Sequence, residues 1–200
     1  MLKEKIAVIF GGMSTEHGVS IVSGTSVLKN LNKEKYDIFP IYIDKDGDWF
    51  KYTKPVEEIN VLNVEDKIEE LNKIEDAMEY LKSMDVIFPV LHGLYGEDGT
   101  IQGMFELLNK KYVGCKPLAS SICMDKVYAK VIFDKAKINQ AKYIYIRKAG
   151  ERYIYIDNEF NEKIHSLDEI TNMVSEKFGF PVFIKPSNSG SSVGINKSHN

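Results

Sequence analysis

The chain has 200 residues, 44% of them apolar and 11% aromatic, enough to build one or two packed domains. Its 26 basic and 29 acidic residues are interspersed and leave a formal net charge of −3, so nucleic-acid binding has no electrostatic footprint. No apolar run approaches the length of a membrane span, and Met1 to Lys5 passes straight into a strand pattern rather than a signal peptide, so a cytoplasmic protein is expected.

Lys5 to Phe10 contains a continuous apolar run, the pattern of a strand covered on both faces. Gly11-Gly12-Met13-Ser14-Thr15-Glu16-His17 interrupts it. A helix is predicted from about Val19 to Leu31, with Val19, Val22, Val27, Leu28 and Leu31 facing inward and Ser20, Ser23 and Ser26 as small contacts. Gly24 is its weak point, since glycine in a helix costs about 1 kcal/mol relative to alanine. Tyr36 to Ile43 is a second strand, Asp44 to Gly47 a turn, and Asp48 to Tyr52 a segment that pairs back as a hairpin. Strand, glycine turn, helix and strand open a βαβ unit with a right-handed crossover. Ligands of open parallel sheets sit beyond the carboxyl ends of the strands, which puts Gly11 to His17 at a ligand mouth. The glycine spacing is not GxGxxG, and a dinucleotide is not indicated.

Lys54 to Asn72 is charged and weakly patterned and reads as a peripheral insertion. A short helix follows over Glu75 to Lys82, then a buried strand over Asp85 to Leu91, whose Pro89 lacks a ladder donor and belongs near the strand end. His92 to Thr100 comes next, with three glycines, a histidine and the acids Glu97 and Asp98 at a second strand mouth. His92 has two readings, a structural histidine or a functional one that shares the sheet edge with Glu16. A helix over Thr100 to Asn109 carries Ile101, Met104, Phe105 and Leu108 on one face, and Tyr112 to Cys115 is a last short strand.

A domain boundary is placed between Pro117 and Met124, dividing the chain into residues 1–120 and 121–200, with Pro117 opening a turn toward Ser120 to Met124. The second part starts with an amphipathic helix, Asp125 to about Ala136, striped by Met124, Val127, Tyr128, Val131 and Ile132. Lys126 and Lys130 lie off that stripe, and pattern alone makes Lys126 a solvated surface lysine. Strands over Tyr143 to Arg147 and Arg152 to Asp157 and a helix over Leu167 to Phe178 lead to a short buried strand, Pro181 to Ile184. That strand ends in Lys185-Pro186, followed by a serine and glycine loop and a second apolar piece, Val193 to Ile195. Small residues let backbone N–H groups approach an anion closely, serine hydroxyls add donors, and Lys185 adds a point charge. A flexible surface turn is the other reading of the loop. Cys115 and Cys123 sit in apolar company without metal spacing and are expected as reduced core thiols.

Five stretches, in this order, resemble the D-alanine–D-alanine ligases of the ATP-grasp superfamily: Gly11 to Ser20, His92 to Gly99, Gln102-Gly103, Met124-Asp125-Lys126, and Lys185-Pro186 with Gly190 to Gly194. The likeness runs from Ile6 to Gly194. It implies an α/β chain: an N-terminal Rossmann-like parallel-sheet (pre-ATP-grasp) domain followed by the first part of an α+β ATP-grasp domain. It also implies a reaction in which ATP phosphorylates the carboxylate of one D-alanine and the amine of a second displaces the phosphate. By position in the family's motifs, Glu16 would bind the ammonium of the first D-alanine. His92 would lie near that substrate's carboxylate, with Glu97 as a supporting acid. Lys126 and Lys185 would contact ATP phosphates, Ser191 would complete a hydrogen-bonded set with Glu16, and Ser192 and Gly190 would offer N–H groups to the oxyanion or phosphate.

The resemblance further implies a homodimer built through the N-terminal domain. It implies Mg²⁺ or Mn²⁺ alongside ATP, with metal ligands expected beyond Asn200 and none within the chain, so the 200 residues alone are expected to be catalytically incomplete. His17-Gly18 departs from a pattern that often has a second acid there, and Ile138 to Lys142 lacks the proline expected in that linker. Ligases using D-serine or D-lactate as acceptor, and a fragment that only binds or dimerises, are the competing readings. A carboxylase of the same superfamily would not need Glu16 and His92 in these loops.

Overall fold

The computed structural model describes residues 2–59, 70–157 and 159–199, and the chain divides into two compact units, Met1–Ser121 and Ile122–Asn200. In chain order the first unit holds β1 (Glu4–Gly11), α1 (His17–Asn30), β2 (Tyr36–Ile43), β3 (Trp49–Tyr52), a 3-10 turn (Val56–Glu58), β4 (Leu71–Lys73), α2 (Ala77–Lys82), β5 (Val86–Pro89), α3 (Thr100–Leu107) and β6 (Lys111–Tyr112). They form one six-stranded sheet ordered β4-β3-β2-β1-β5-β6. β1 pairs in parallel with β2 on one side and β5 on the other, and β6 continues in parallel; β3 and β4 extend the edge antiparallel. The chain therefore leaves β1 toward β2, later returns to β5, and the strand order reverses between β1 and β5, where open sheets bind ligands. Most of the expected insertion over Lys54 to Asn72 lies outside the described residues, apart from its ends in the 3-10 turn and β4.

The apolar run of β1 is buried from Ile6 to Phe10, and its alternation feeds two cores. Ala7 and Ile9 join Ile41, Ile43, Leu81, Ile87 and Phe105 on one face, while Val8 and Phe10 join Ile21, Leu28, Tyr42 and Ile59 on the other. Full burial of a side chain such as Phe10 or Phe105 contributes about 1.5 to 3 kcal/mol. Pro89 closes β5, so its missing N–H interrupts no ladder.

α1 is rotated from the expected stripe. Its buried face is His17, Ser20, Ile21, Gly24, Thr25 and Leu28, whereas Val19 and Val22 are half exposed. Gly24 decides the rotation. A Cβ built there would lie 2.5 Å from the Cβ of Phe10 and 2.8 Å from its Cγ, so only glycine lets the helix backbone rest on β1. The Gly24→Ala variant gains about 1 kcal/mol of helix propensity, but meets a Phe10 Cβ that cannot swing aside, and overpacking of that kind costs about 1 to 3 kcal/mol. The clash wins. A net destabilisation of up to about 2 kcal/mol is expected, read as a fall of several degrees in Tm.

α4 (Pro117–Met124) replaces the expected turn after Pro117, and the division between the two units falls within it. Proline is well suited to a first helical position, where no N–H is required. The second unit holds α5 (Lys126–Lys135), β7 (Tyr145–Ala149), β8 (Arg152–Ile156), β9 (Glu162–His165), α6 (Leu167–Phe178), β10 (Val182–Ile184) and β11 (Asn196–Ser198). β7, β8 and β9 form an antiparallel sheet, and β10 pairs antiparallel with β11. β9 was not expected, since Glu162 to His165 has too few apolar residues to show alternation. The partner of β10 is Asn196–Ser198, not Val193 to Ile195, which lies mostly in a turn. Phe183 and Ile184 are 62% and 59% exposed, so β10 is a strand but not a buried one. α5 likewise buries none of its residues fully, and Tyr128 and Ile132 of its stripe are exposed. Both cysteines are free but exposed, against the expected core placement. Their apolar neighbours in sequence belong to helix and strand ends that the fold leaves at the surface.

Candidate active site

Two loops leave the carboxyl ends of β1 and β5 and meet between them. The first carries Ser14, Glu16 and His17, the second His92 to Gly99. Ser14 joins them: its hydroxyl donates to the His92 carbonyl at 2.6 Å and accepts the Glu16 N–H at 3.1 Å. Glu16 is the residue that opens α1, where the helix dipole favours a negative charge. Gly93 has φ +71°, and a Cβ there would run into the Glu16 carboxylate and come within 3.4 Å of Ser14 Cβ. The Glu16 carboxylate thus lies on the backbone of the His92 loop, at a positive φ that favours glycine.

Beneath these loops the sheet ends are clamped by α1. The buried Ser20 hydroxyl donates to the Val90 carbonyl at 2.6 Å and accepts the Gly11 N–H at 2.8 Å, linking the exits of β1 and β5. His17, where the sequence departs from the family pattern, is fully buried; its Nδ1 lies 2.5 Å from the Gly12 carbonyl and its Nε2 3.2 Å from the Tyr42 hydroxyl. It holds the first loop rather than facing solvent. His92 is half-buried, with Nε2 3.1 Å from the Ser23 hydroxyl.

Glu97 accepts the Gly93 N–H at 2.7 Å and braces its own loop from an exposed position. Asp98 accepts the N–H groups of Tyr95 and Thr100, both at 2.9 Å, and so starts α3. Burial pushes its carboxyl up, but the amides of Thr100 and Tyr95 more than offset that and hold it below the ordinary carboxylate range. Gln102 is buried and donates to the Gly96 carbonyl at 2.7 Å, fixing the loop from below. A cavity of about 230 Å³ lies beside the two loops, lined mainly by Met13, Ile43, Trp49, Leu91, Ile101 and Met104. His92 lines it but neither Glu16 nor Glu97 does, and so apolar a space does not suit a charged ligand.

In the second unit the motif Met124-Asp125-Lys126 organises the serine loop. Asp125 caps α5 by accepting the N–H groups of Val127 at 2.8 Å and Tyr128 at 3.3 Å. Lys126 is half-buried, not solvated: its backbone N–H donates to the Ser187 carbonyl at 3.0 Å, and its ammonium donates to the Ser189 carbonyl and, at 3.5 Å, to that of Ser187. Lys185 follows β10 directly and is exposed. From Gly190 the loop makes successive tight turns, with Val193 N–H to the Gly190 carbonyl at 3.0 Å and Ile195 N–H to that of Ser192 at 3.2 Å. Ser191 and Ser192 have φ of +45° and +63°, left-handed values that cost non-glycine residues about 1 to 3 kcal/mol each and cluster at ligand sites. The structure therefore groups Glu16, His92 and Glu97 in one unit and Lys126 with the Ser187–Ser192 loop in the other.

Residues 5–115 match the family model for the D-ala D-ala ligase N-terminus, and residues 132–200 that for the D-ala D-ala ligase C-terminus. The chain belongs to the D-alanine–D-alanine ligase family. It is 47% identical to a D-alanine–D-alanine ligase of Clostridium acetobutylicum over 201 residues, all of this chain and 54% of that protein. Among solved structures it is similar to the VanG D-Ala:D-Ser ligase from Enterococcus faecalis, with 36% identity and a TM-score of 0.76 over all of this chain and 56% of that one. The D-alanine–D-alanine ligase from Coxiella burnetii gives 27% identity and a TM-score of 0.81 over 99% of this chain and 57% of that one. A Bacillus anthracis ligase complexed with ATP gives 28% and 0.63 over 98% of this chain and 50% of that one. The expected α/β architecture is that of these ligases. The chain spans about half the length of the curated relatives it matches.

Sequence reasoning singled out the ligase motifs but missed what Ser14, Ser20 and Gln102 do inside them and what Ser23 does just beyond the first. The signal was present as serines three residues apart on a helix face, where a pure packing surface would carry apolar side chains. No helix among the described residues is long and apolar enough to cross a membrane. Also among the described residues, no group of three or more His, Cys, Asp or Glu side chains forms a metal set.

Proposed function

We propose that the protein carrying this chain is an ATP-dependent ligase that joins two D-alanines for a peptidoglycan precursor in the cytoplasm. Residues 1–120 would form the substrate domain and 121–200 the start of the ATP-grasp domain. One observation carries the reading: the Glu16 carboxylate rests on Gly93 of the His92 loop, so two separate ligase motifs serve one strand mouth. Glu16 binds the ammonium of the first D-alanine and His92 an oxygen of its carboxylate, while Glu97 holds the loop. Lys126, Lys185 and the Gly190 to Ser192 turns bind the phosphates of ATP, and Ser191 and Ser192 also serve the substrate.

The γ-phosphoryl group passes to a carboxylate oxygen of D-alanine and ADP leaves. The amine of the second D-alanine then attacks the acyl carbon, inorganic phosphate departs with its oxygen, and the amine loses a proton. Mg²⁺ or Mn²⁺ would accompany ATP. The first unit would also mediate self-association, and Val19 and Val22 on the outer face of α1 are available for it; sedimentation at micromolar concentration should show a dimer.

A chimera tests the ligase reading. Residues 1–200 joined to the second half of the Clostridium acetobutylicum relative should form D-alanyl-D-alanine with ADP and phosphate. With D-serine and D-lactate present in competition, D-alanine should remain the main acceptor. A folded chimera that makes no dipeptide, beside a parent enzyme that does, removes the reading.

A further inference from the structure

We propose that Ser23 is a positioning residue for His92: its hydroxyl donates to Nε2 and thereby places the imidazole proton on Nδ1. A serine within a helix commonly donates to the carbonyl four residues back, as Thr25 does here to Ile21 at 2.8 Å. Ser23 does not. Its one hydrogen bond among the described residues is the 3.1 Å contact with His92 Nε2, contributed across 69 positions of sequence. The hydroxyl proton has no protein carbonyl to go to, so the ring nitrogen takes it. A nitrogen that accepts cannot carry hydrogen in the neutral ring, and the proton moves to Nδ1.

Nδ1 has no protein hydrogen-bond partner among the described residues and becomes a donor on the loop that Ser14 ties to the Glu16 loop. An acceptor on one loop and a donor on the other match the ammonium and the carboxylate of one amino acid. The opposite tautomer would present two acceptors and repel the carboxylate. The backbone of His92 is fixed separately, through its carbonyl and Ser14, so Ser23 governs the ring alone. The role in substrate binding rests on the ligase reading; the tautomer does not.

Long-range ¹⁵N–¹H spectra of the 200-residue chain test it, with His92 assigned by its loss in His92→Gln. The neutral ring should carry its proton on Nδ1. The Ser23→Ala variant should revert to the Nε2–H form that free imidazole favours, and Ser23→Thr should restore Nδ1–H. An Nε2–H ring in the unsubstituted chain, or a tautomer unchanged in Ser23→Ala, overturns the proposal. In the chimera, Ser23→Ala should lower kcat/KM for D-alanine about 10-fold, the worth of one hydrogen bond. An unchanged kcat/KM beside a changed tautomer would remove the substrate role. An inactive unsubstituted chimera would instead sink the ligase reading and leave the ring's tautomer standing.

Discussion

Glu16→Gln in the active chimera should lower kcat/KM for D-alanine by about 10²- to 10³-fold while the protein stays folded. An ammonium held by a partly buried carboxylate is a charge-assisted pair, and breaking one side of such a pair costs about 2 to 5 kcal/mol. Each 1.4 kcal/mol is a factor of ten. Glutamine keeps the shape that lies on Gly93 but loses the charge and turns one acceptor oxygen into a donor. The structural cost is small, because the Glu16 side chain does not cap α1, and its charge at the helix start contributes about 0.3 to 1 kcal/mol. Tm should therefore fall by only a few degrees. Glu97→Gln is the control. Glu97 accepts the Gly93 N–H, so its loss should loosen the loop first and reduce catalysis through that. If Glu16→Gln lost melting temperature in proportion to activity, Glu16 would be a brace like Glu97 and the substrate role would fall.

The parallel core of the first unit was legible because β1 is apolar without interruption, a pattern that requires cover on both faces. The mouths were legible too, since glycine-rich breaks follow β1 and β5 directly. The inward face of α1 was not. Apolar spacing favoured Val19 and Val22, but close approach at Gly24 set the rotation, and that depends on Phe10, 14 positions earlier in the sequence. The second unit was legible as elements and misread in burial. β10 looked buried from composition, yet its only sheet partner among the described residues is the polar Asn196–Ser198. In the site, residue types pointed to Glu16 and His92, whereas the serines that hold them were masked by their ordinary use as small helix residues. A hydroxyl's partner is a tertiary fact: Ser14 and Ser23 meet His92 across 78 and 69 positions.

Lys126→Met should weaken ATP binding about 10- to 100-fold and, without any ligand, speed hydrogen exchange over Gly190 to Ile195. Both effects follow from the three protons of the ammonium. Two are engaged by the carbonyls of Ser187 and Ser189, which leaves the third for the proposed phosphate oxygen. Hydrogen bonds from a charged group contribute about 1.5 to 3 kcal/mol, which sets the loss in affinity. The left-handed Ser191 and Ser192 store strain that a neighbouring tether must hold in place. Methionine keeps the backbone bond from residue 126 to the Ser187 carbonyl and the Asp125 cap, so α5 should persist and only the loop should open. Lys126→Arg should keep the loop protected but restore ATP affinity only in part, since a planar guanidinium cannot aim its donors at two carbonyls and a phosphate as an ammonium can. Exchange unchanged in Lys126→Met would show that the loop holds itself; affinity unchanged would leave Lys126 as a tether alone, with phosphate binding assigned to Lys185.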